Sequence, residues 1–330
     1  MRDRGVLIRL AGGLCALLLV GTALFDVRQS AASGTGEQEK LLLIAPAAPG
    51  GGWDALAREI QNGLREEELR FNVEVRNAEG AGGTIGLAQT ANRQGQANVL
   101  TMTGMGMVGA VETTGSPYTM VDATPIAQMA SEYLAVVVSA DSPHHTLDDL
   151  AEEWREKAGT LPVAGGSMGG VDQIFAAQVA QAMGITPGEI NYLPYSGGGE
   201  VLTSLLSNTS QVGFGTLGDF GDQIGEGAPL RALAVSSPER LEGVDVPTIV
   251  EQGYDVEMSN WRGVIAPPGL TEEEVARLET LMAELTASDS WADTLERNRW
   301  TDTHQGSAEF EEFLEGEIAL TQETIEELGL

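Results

Sequence analysis

From Leu41 onward, apolar residues alternate between two patterns. One is the short continuous run of a buried strand, as in Leu41-Leu42-Leu43-Ile44-Ala45. The other is the 3–4 spacing of an amphipathic helix, as in Trp53, Leu56, Ala57, Ile60 and Leu64. Further strands are expected at Phe71–Arg76, Asn98–Met102, Ile126–Met129, Leu134–Val138, Thr160–Ala164, Ile190–Leu193, Leu230–Val235 and Trp261–Ile265. Helices are expected over Ile85–Ala91, Val171–Met183 and about Glu200–Leu206. Thr146 with Asp149, and Thr271 with Glu274, have the spacing of capping boxes. They open helices to Lys157 and to about Arg297, the second broken near Ser288, and a last helix runs from about Ser307 to Leu328. The Gly-Met-rich stretch Thr103–Gly109 reads as a loop. This alternation predicts an α/β fold.

Four of the strand-to-helix junctions are rich in glycine: Pro49–Asp54, Gly80–Thr84, Gly165–Gly170 and Pro194–Gly199. The first amides of a helix lack intrahelical partners, and the helix dipole adds partial positive charge there. Bare glycine backbone lets an anion approach those amides. One such loop is equally well a tight turn with nothing bound. Four could converge at the carboxyl ends of parallel strands, where open α/β sheets take their ligands. The expectation is a small-anion site between two lobes. Crossovers near 139 and 235 divide the chain into a discontinuous first lobe, 41–138 with 236–330, and a continuous second lobe, 139–235.

Before the fold, Arg2, Arg4 and Arg9 precede a 16-residue apolar run from Leu10 to Phe25, and Ser30-Ala31-Ala32 offers a cleavage site. Residues 1–32 therefore read as a signal peptide, with an uncleaved anchor as the alternative, and 33–40 as a tether. This predicts an extracytoplasmic protein. Cys15, the single cysteine, lies inside the leader, so the exported chain has no disulfide or thiolate. The whole chain carries a net charge of −31; beyond residue 32 it holds 14 bases and 47 acids. Such a surface excludes nucleic acid and anionic lipid as partners.

Gly165-Gly166-Ser167-Met168-Gly169 fits a hydrolase nucleophile elbow, and Asp302 and His304 follow in the order of that class. A secreted serine hydrolase is thus the alternative reading. Against it, the other three glycine junctions use the same design without an elbow serine, and no His-Gly-Gly-Gly segment precedes this one. The glycines at 80, 82 and 86 miss the dinucleotide spacing, and no Gly-Lys-Ser/Thr is present. His144-His145 and His304 do not make a metal set. No cofactor and no metal are expected. The acidic stretch Glu309–Glu327 reads as a solvated helix face.

These residues together resemble the Bug-type receptors of tripartite tricarboxylate transporters. The resemblance rests on Ala45-Pro46 through Pro49-Gly50-Gly51-Gly52-Trp53-Asp54 with Ala57-Arg58, and on Gly80-Ala81-Gly82-Gly83-Thr84. It continues through Gly165-Gly166-Ser167 to Asp172, Tyr192 to Glu200, Val246-Pro247-Thr248 with Glu251-Gln252-Gly253, and Asn260-Trp261-Arg262-Gly263 to Gly269. It implies a two-lobed periplasmic-binding-protein fold (a Venus flytrap, type II-like) and a monomer. It also implies capture of a tricarboxylate such as citrate, or a dicarboxylate, and delivery to a two-subunit permease. By the same implication Gly50, Gly51, Gly52, Trp53, Asp54, Gly82, Gly83, Thr84, Gly166, Ser167, Tyr195, Ser196, Gly197 and Gly198 line the site. Arg262 would supply a bidentate cation, or else a structural ion pair. Asp172 stands where the family often has histidine, and capping its helix is its alternative role.

Overall fold

The computed structural model describes residues 40–195, 197–225 and 227–329. The expected signal peptide and nearly all of the tether lie outside the described residues, as does Ser196.

The first strand, β1 (Leu41–Ala45), is buried at every position, as its unbroken apolar run requires of a strand covered on both faces. It pairs in parallel with β2 (Val73–Asn77) and β3 (Val99–Gly104). Strand β9 (Ser259–Ala266) then joins β3 antiparallel. A second group of parallel strands comprises β5 (Pro162–Gly165), β6 (Asn191–Pro194) and β7 (Val212–Thr216).

One strand joins the two groups. β4 (Thr124–Ser139) is 16 residues long. Its first part, to Tyr133, lies along β9. From Leu134 it pairs instead with β7, and on its other side with β8 (Leu230–Val235). The order across the sheet is β2-β1-β3-β9-β4-β7-β5-β6, with β8 also on β4. The sequence pattern suggests two strands here, Ile126–Met129 and Leu134–Val138. The structure fuses them through Ala130-Ser131-Glu132-Tyr133. Ser131 and Glu132 break the apolar pattern, but the ladder to β9 continues past both.

Helices cover both faces. They are α1 (Gly52–Glu66), α2 (Thr84–Ala91), α3 (Met105–Thr114), α4 (Leu147–Glu156), α5 (Val171–Ala182), α6 (Gly198–Leu206), α7 (Leu217–Phe220), α8 (Glu272–Thr286), α9 (Asp289–Asn298) and α10 (Ser307–Leu328). Both capping boxes form, at Thr146/Asp149 and Thr271/Glu274. The break near Ser288 is also present: the Ser288 hydroxyl accepts from Trp291 N and caps α9.

Two segments differ from the sequence reading. Thr103–Gly109 is not a loop, because β3 runs to Gly104 and α3 follows at once. Glycine costs about 1 kcal/mol per helical position, which hides this helix from propensity. Burial of Met105, Met107, Val108 and Val111 outweighs that cost. Strand β7, Val-Gly-Phe-Gly-Thr, was masked by its two glycines. A Cβ at Gly213 would lie 2.9 Å from Leu205, so α6 packs directly on the backbone there.

Helix α10 packs against α3 and β4 and continues onto α5. Its Phe310 and Phe313 meet Trp261 edge-on, with ring centroids 5.7 and 5.6 Å away. Glu317, on the same helix, accepts a 2.8 Å hydrogen bond from Trp261 Nε1, and burial raises its carboxyl above the usual range. This face of the acidic helix is therefore packed rather than solvated.

Candidate functional site

The glycine junction Pro49–Asp54 is held by Asp54, which is 2% exposed. Its Oδ2 accepts from Gly50 N at 2.8 Å and Arg58 Nε at 2.9 Å, and its Oδ1 accepts from Asn77 Nδ2 at 2.8 Å. These bonds, the Arg58 one foremost, lower its pKa to about 2 despite burial. Asp54 thus ties the loop to α1 and β2. Gly51 N is taken by Ala48 O, whereas Gly52 N and Trp53 N have no protein acceptor among the described residues. Gly50 has a φ of +87°, which glycine adopts without strain.

The second junction packs on the first. A Cβ at Gly83 would lie 2.8 Å from the Trp53 ring, and one at Gly104 2.9 Å from Trp53 Nε1. Gly82 lies against Ala110, and the Thr84 hydroxyl donates to Ala81 O. Gly82, Gly83 and Thr84 therefore seat the tryptophan and α3.

In the third junction three of the loop amides are engaged by the protein. Gly166 N donates to Asp172 Oδ2 at 2.7 Å, Gly169 N to Gln173 Oε1 at 2.7 Å, and Gly170 N to Ser167 O at 3.0 Å. The Tyr192 hydroxyl donates to Gly166 O at 2.9 Å. Desolvation, reinforced by the Asp219 charge, pushes the Asp172 carboxyl up to about 7. In the fourth junction, Tyr195 N donates to Gly165 O, Gly197 caps α6, and a Cβ at Gly198 would lie 2.5 Å from that of Asp219.

Between these parts lies a cavity of about 650 Å³. On one side are Gly52 and Ala55 at the start of α1. Opposite are Gly166, Ser167 and Asp172, with Thr216 and Asp219 from the end of β7 and α7. Its base is made where β4 and β9 run together, by Glu132, Asn260 and Arg262, and Asn298 and Trp300 close one end. Of the residues named from sequence, Gly52, Gly166, Ser167 and Arg262 line this space. The others that the structure describes lie in the surrounding turns or support them.

Arg262 is 9% exposed. Its NH2 is 3.0 Å from Glu132 Oε1, and its guanidinium carbon lies 4.7 Å from the Trp300 ring centroid. Trp300 Nε1 donates to the same Glu132 oxygen at 2.6 Å. A Cβ at Gly52 would be 3.2 Å from Arg262 NH2, so the arginine packs closely on the start of α1. The arginine is at once an ion-pair partner and a wall of the cavity.

Sequence reasoning missed Glu132, Asp219, Asn298 and Trp300. Only Asp219 carried a readable signal, the Thr216-x-x-Asp219 spacing of a capping box, which forms. The other three are brought in by β4 continuing and by the turn after α9, neither of which has a local signature.

Residues 56–330 match the family model described as tripartite tricarboxylate transporter family receptor. The chain belongs to this family. Within curated proteins it is 26% identical to Protein BugT of Bordetella pertussis over 281 residues, covering 83% of this chain and 85% of BugT. Among solved structures it resembles a ligand-free TctC solute-binding protein from Polaromonas, with a TM-score of 0.76 and 26% identity over 88% of this chain and 99% of that one. It also shares its fold with MatC from Rhodopseudomonas palustris with bound malate, at a TM-score of 0.71 and 21% identity, covering 87% and 98% of the two chains. The fold is that of the periplasmic solute-binding receptors, and members of this receptor family bind solutes rather than turn them over.

The Ser167 elbow has a different use in such a receptor. His304 Nδ1 lies 3.1 Å from Gln128 O, and His144 is bonded to Ser142 and Glu153. Among the described residues, no hydrogen bond joins Ser167 to a histidine. No group of three or more His, Cys, Asp or Glu suited to a metal ion occurs among them either.

Proposed function

We propose that this protein is an extracytoplasmic receptor that captures a small carboxylate in the cavity and delivers it to the permease of a tripartite tricarboxylate transporter. One observation carries the reading: Gly52, whose amide has no protein acceptor among the described residues, lies against the Arg262 guanidinium on the wall of a space of about 650 Å³. A carboxylate there would gain helix-terminus amides and a charge-assisted bond together. Malate in MatC is a precedent for the ligand class. The family description supports the permease, and the apolar run behind three arginines supports export.

In this reading the lobes are 41–133 with 259–329, and 134–258. They meet where β4 changes partners, a few residues from the expected crossover at 139, and where β9 begins, well beyond the one expected at 235. Groups from both lobes line the cavity, so a bound ligand contacts both only when they approach. That difference in contact stabilises the closed arrangement.

Thermal melts with citrate, tricarballylate, malate, succinate, glutarate, adipate, glutamate and aspartate test the proposal. A ligand at about 100 times its Kd adds roughly 2.7 kcal/mol, which raises the midpoint by several degrees. A shift with one or two of these acids is the expected outcome. A flat response to all of them would sink it.

A further inference from the structure

Three side chains meet at the base of the cavity, brought there by two separate parts of the chain. In the β4–β9 ladder, Ala130 stands opposite Arg262 and Glu132 opposite Asn260. Alternate positions of a strand share a face, so Glu132 and Arg262 are diagonal neighbours on the cavity side. Their ion pair is 3.0 Å long, and both side chains are largely buried.

Trp300 arrives from the other direction. Arg299 ends α9 with a left-handed φ of +55°, and the chain turns back onto β4. Thr301 N donates to Ser131 O at 2.8 Å, and Ser131 N to Thr301 O at 3.0 Å. These bonds pin the backbone beside Trp300 to the backbone beside Glu132. The indole Nε1 then donates to Glu132 Oε1 at 2.6 Å, and the guanidinium carbon of Arg262 lies over the ring, 4.7 Å from its centroid. The arginine is thus held twice, by the carboxylate and by the ring. Among the described residues its Nε and Nη1 have no hydrogen-bond partner. A buried ion pair is weak evidence for stability, because an apolar pair of the same volume often does as well. This one asks for another role.

We propose that Glu132 and Trp300 are positioning residues: together they fix the Arg262 guanidinium so that its unpartnered nitrogens face the cavity before a carboxylate arrives. The inference rests on the receptor reading above. An untethered arginine side chain samples many rotamers and loses that freedom when it grips an anion. Here the loss is incurred in folding, which leaves more of the contact for affinity. Glu132 also has an opposing effect, since its negative charge repels an arriving carboxylate. The indole N–H holds the same Glu132 oxygen that pairs with the arginine. The carboxylate therefore cannot turn away without breaking both contacts.

Two substitutions separate position from charge. Glu132→Gln and Glu132→Ala both remove the negative charge, but only glutamine keeps an acceptor of the right length for Trp300 and Arg262. In calorimetry of the purified protein with citrate, malate and succinate, Glu132→Ala should bind about tenfold or more weaker than Glu132→Gln. Glu132→Gln should bind tighter than the unsubstituted protein, because the repulsion is gone. Trp300→Phe keeps a ring beside the arginine and loses the N–H. It should bind about threefold or more weaker than the unsubstituted protein, and Trp300→Leu weaker again.

The orientation is also readable without an acid. In nitrogen–proton NMR spectra of the ligand-free protein, the Arg262 Nε–H should give a sharp, dispersed signal, and should do so in Glu132→Gln as well. In Glu132→Ala and Trp300→Leu it should broaden or move towards the position of a free arginine. Equal affinities for the two Glu132 variants, or an Arg262 signal unmoved in Glu132→Ala, would overturn this inference and leave the carboxylate receptor standing. Should Glu132→Ala fail to fold, undiminished affinity in Trp300→Phe would overturn it in the same way. Absence of binding by the unsubstituted protein to every acid of the thermal panel would overturn both.

Discussion

Asp54 shows what a single buried carboxylate does in this fold. It accepts from a loop amide, an arginine one turn along α1 and an asparagine on β2, so it closes the loop that leads to the open amides of Gly52 and Trp53. Its pKa is lowered from 3.8 to about 2. A carboxyl whose pKa is depressed by folding contributes stability above its unfolded value, and that contribution is lost as pH falls through the folded one. Asp54→Asn should therefore cost about 1–2 kcal/mol at pH 7, with the difference shrinking below about pH 4 and vanishing only well below about pH 2. Urea unfolding of the two proteins across that range checks this, and a gap independent of pH would refute the assignment. The Gly-Gly-Gly-Trp-Asp stretch was conspicuous in the sequence, yet the roles within it were not. Trp53 and Asp54 are expected as ligand contacts; the Trp53 ring packs on Gly83 and Gly104, and the Asp54 carboxylate is turned into its own loop. Proximity to a site and contact with it look the same in one dimension.

At the scale of elements, strands β1 and β2 and helices α1, α4, α5, α8 and α10 were legible because burial periodicity or a capping box marks them. Strand β7 and helix α3 were not, because glycine depresses the local signal while allowing the close packing that stabilises them. The join within β4 was hidden by Ser131 and Glu132, whose polarity belongs to the cavity base and to contacts with the turn before α10. For example, Ser131 Oγ lies 3.0 Å from Thr303 Oγ1, and Glu132 takes Trp300 and Arg262. Helix α10 carries one defect. Thr321 is 1% exposed, and its buried hydroxyl has no hydrogen-bond partner among the described residues. Replacing it with valine keeps the shape and removes the unsatisfied group. Thr321→Val should stabilise the protein by about 1 kcal/mol, raising the melting midpoint by a few degrees. A lower midpoint would mean that the hydroxyl finds a partner in solution.

Across the whole molecule, the two sides of the cavity also touch at a pair of glycines. A Cβ on Gly109 of α3 would lie 2.7 Å from Gly169 O, in the turn before α5. Gly109→Val should hold these elements apart. Affinity for whichever acid gives a thermal shift should drop about tenfold or more, because the ligand can no longer engage both sides at full strength. The unliganded melting midpoint should change by only a few degrees, and solution scattering should report a larger radius of gyration with ligand than for the unsubstituted protein. Unchanged affinity would show that this contact has no part in the ligand-bound state.

Strand β4 gives the molecule its mechanics. Bonded first to β9 and then to β7 and β8, it is a continuous hydrogen-bonded connection between the halves. A change in the angle between them must be absorbed as twist along a hydrogen-bonded ribbon. The register irregularities at Pro125/Ala127, Gln128/Ala130 and Val136/Val137 are its softest points. Such a ribbon behaves as a torsion spring whose rest angle is written into the backbone. In the receptor proposed above, ligand binding would wind it, and unloading would let it recoil. For a receptor of the kind proposed above, the return to the open arrangement between captures would then need only the release of that twist.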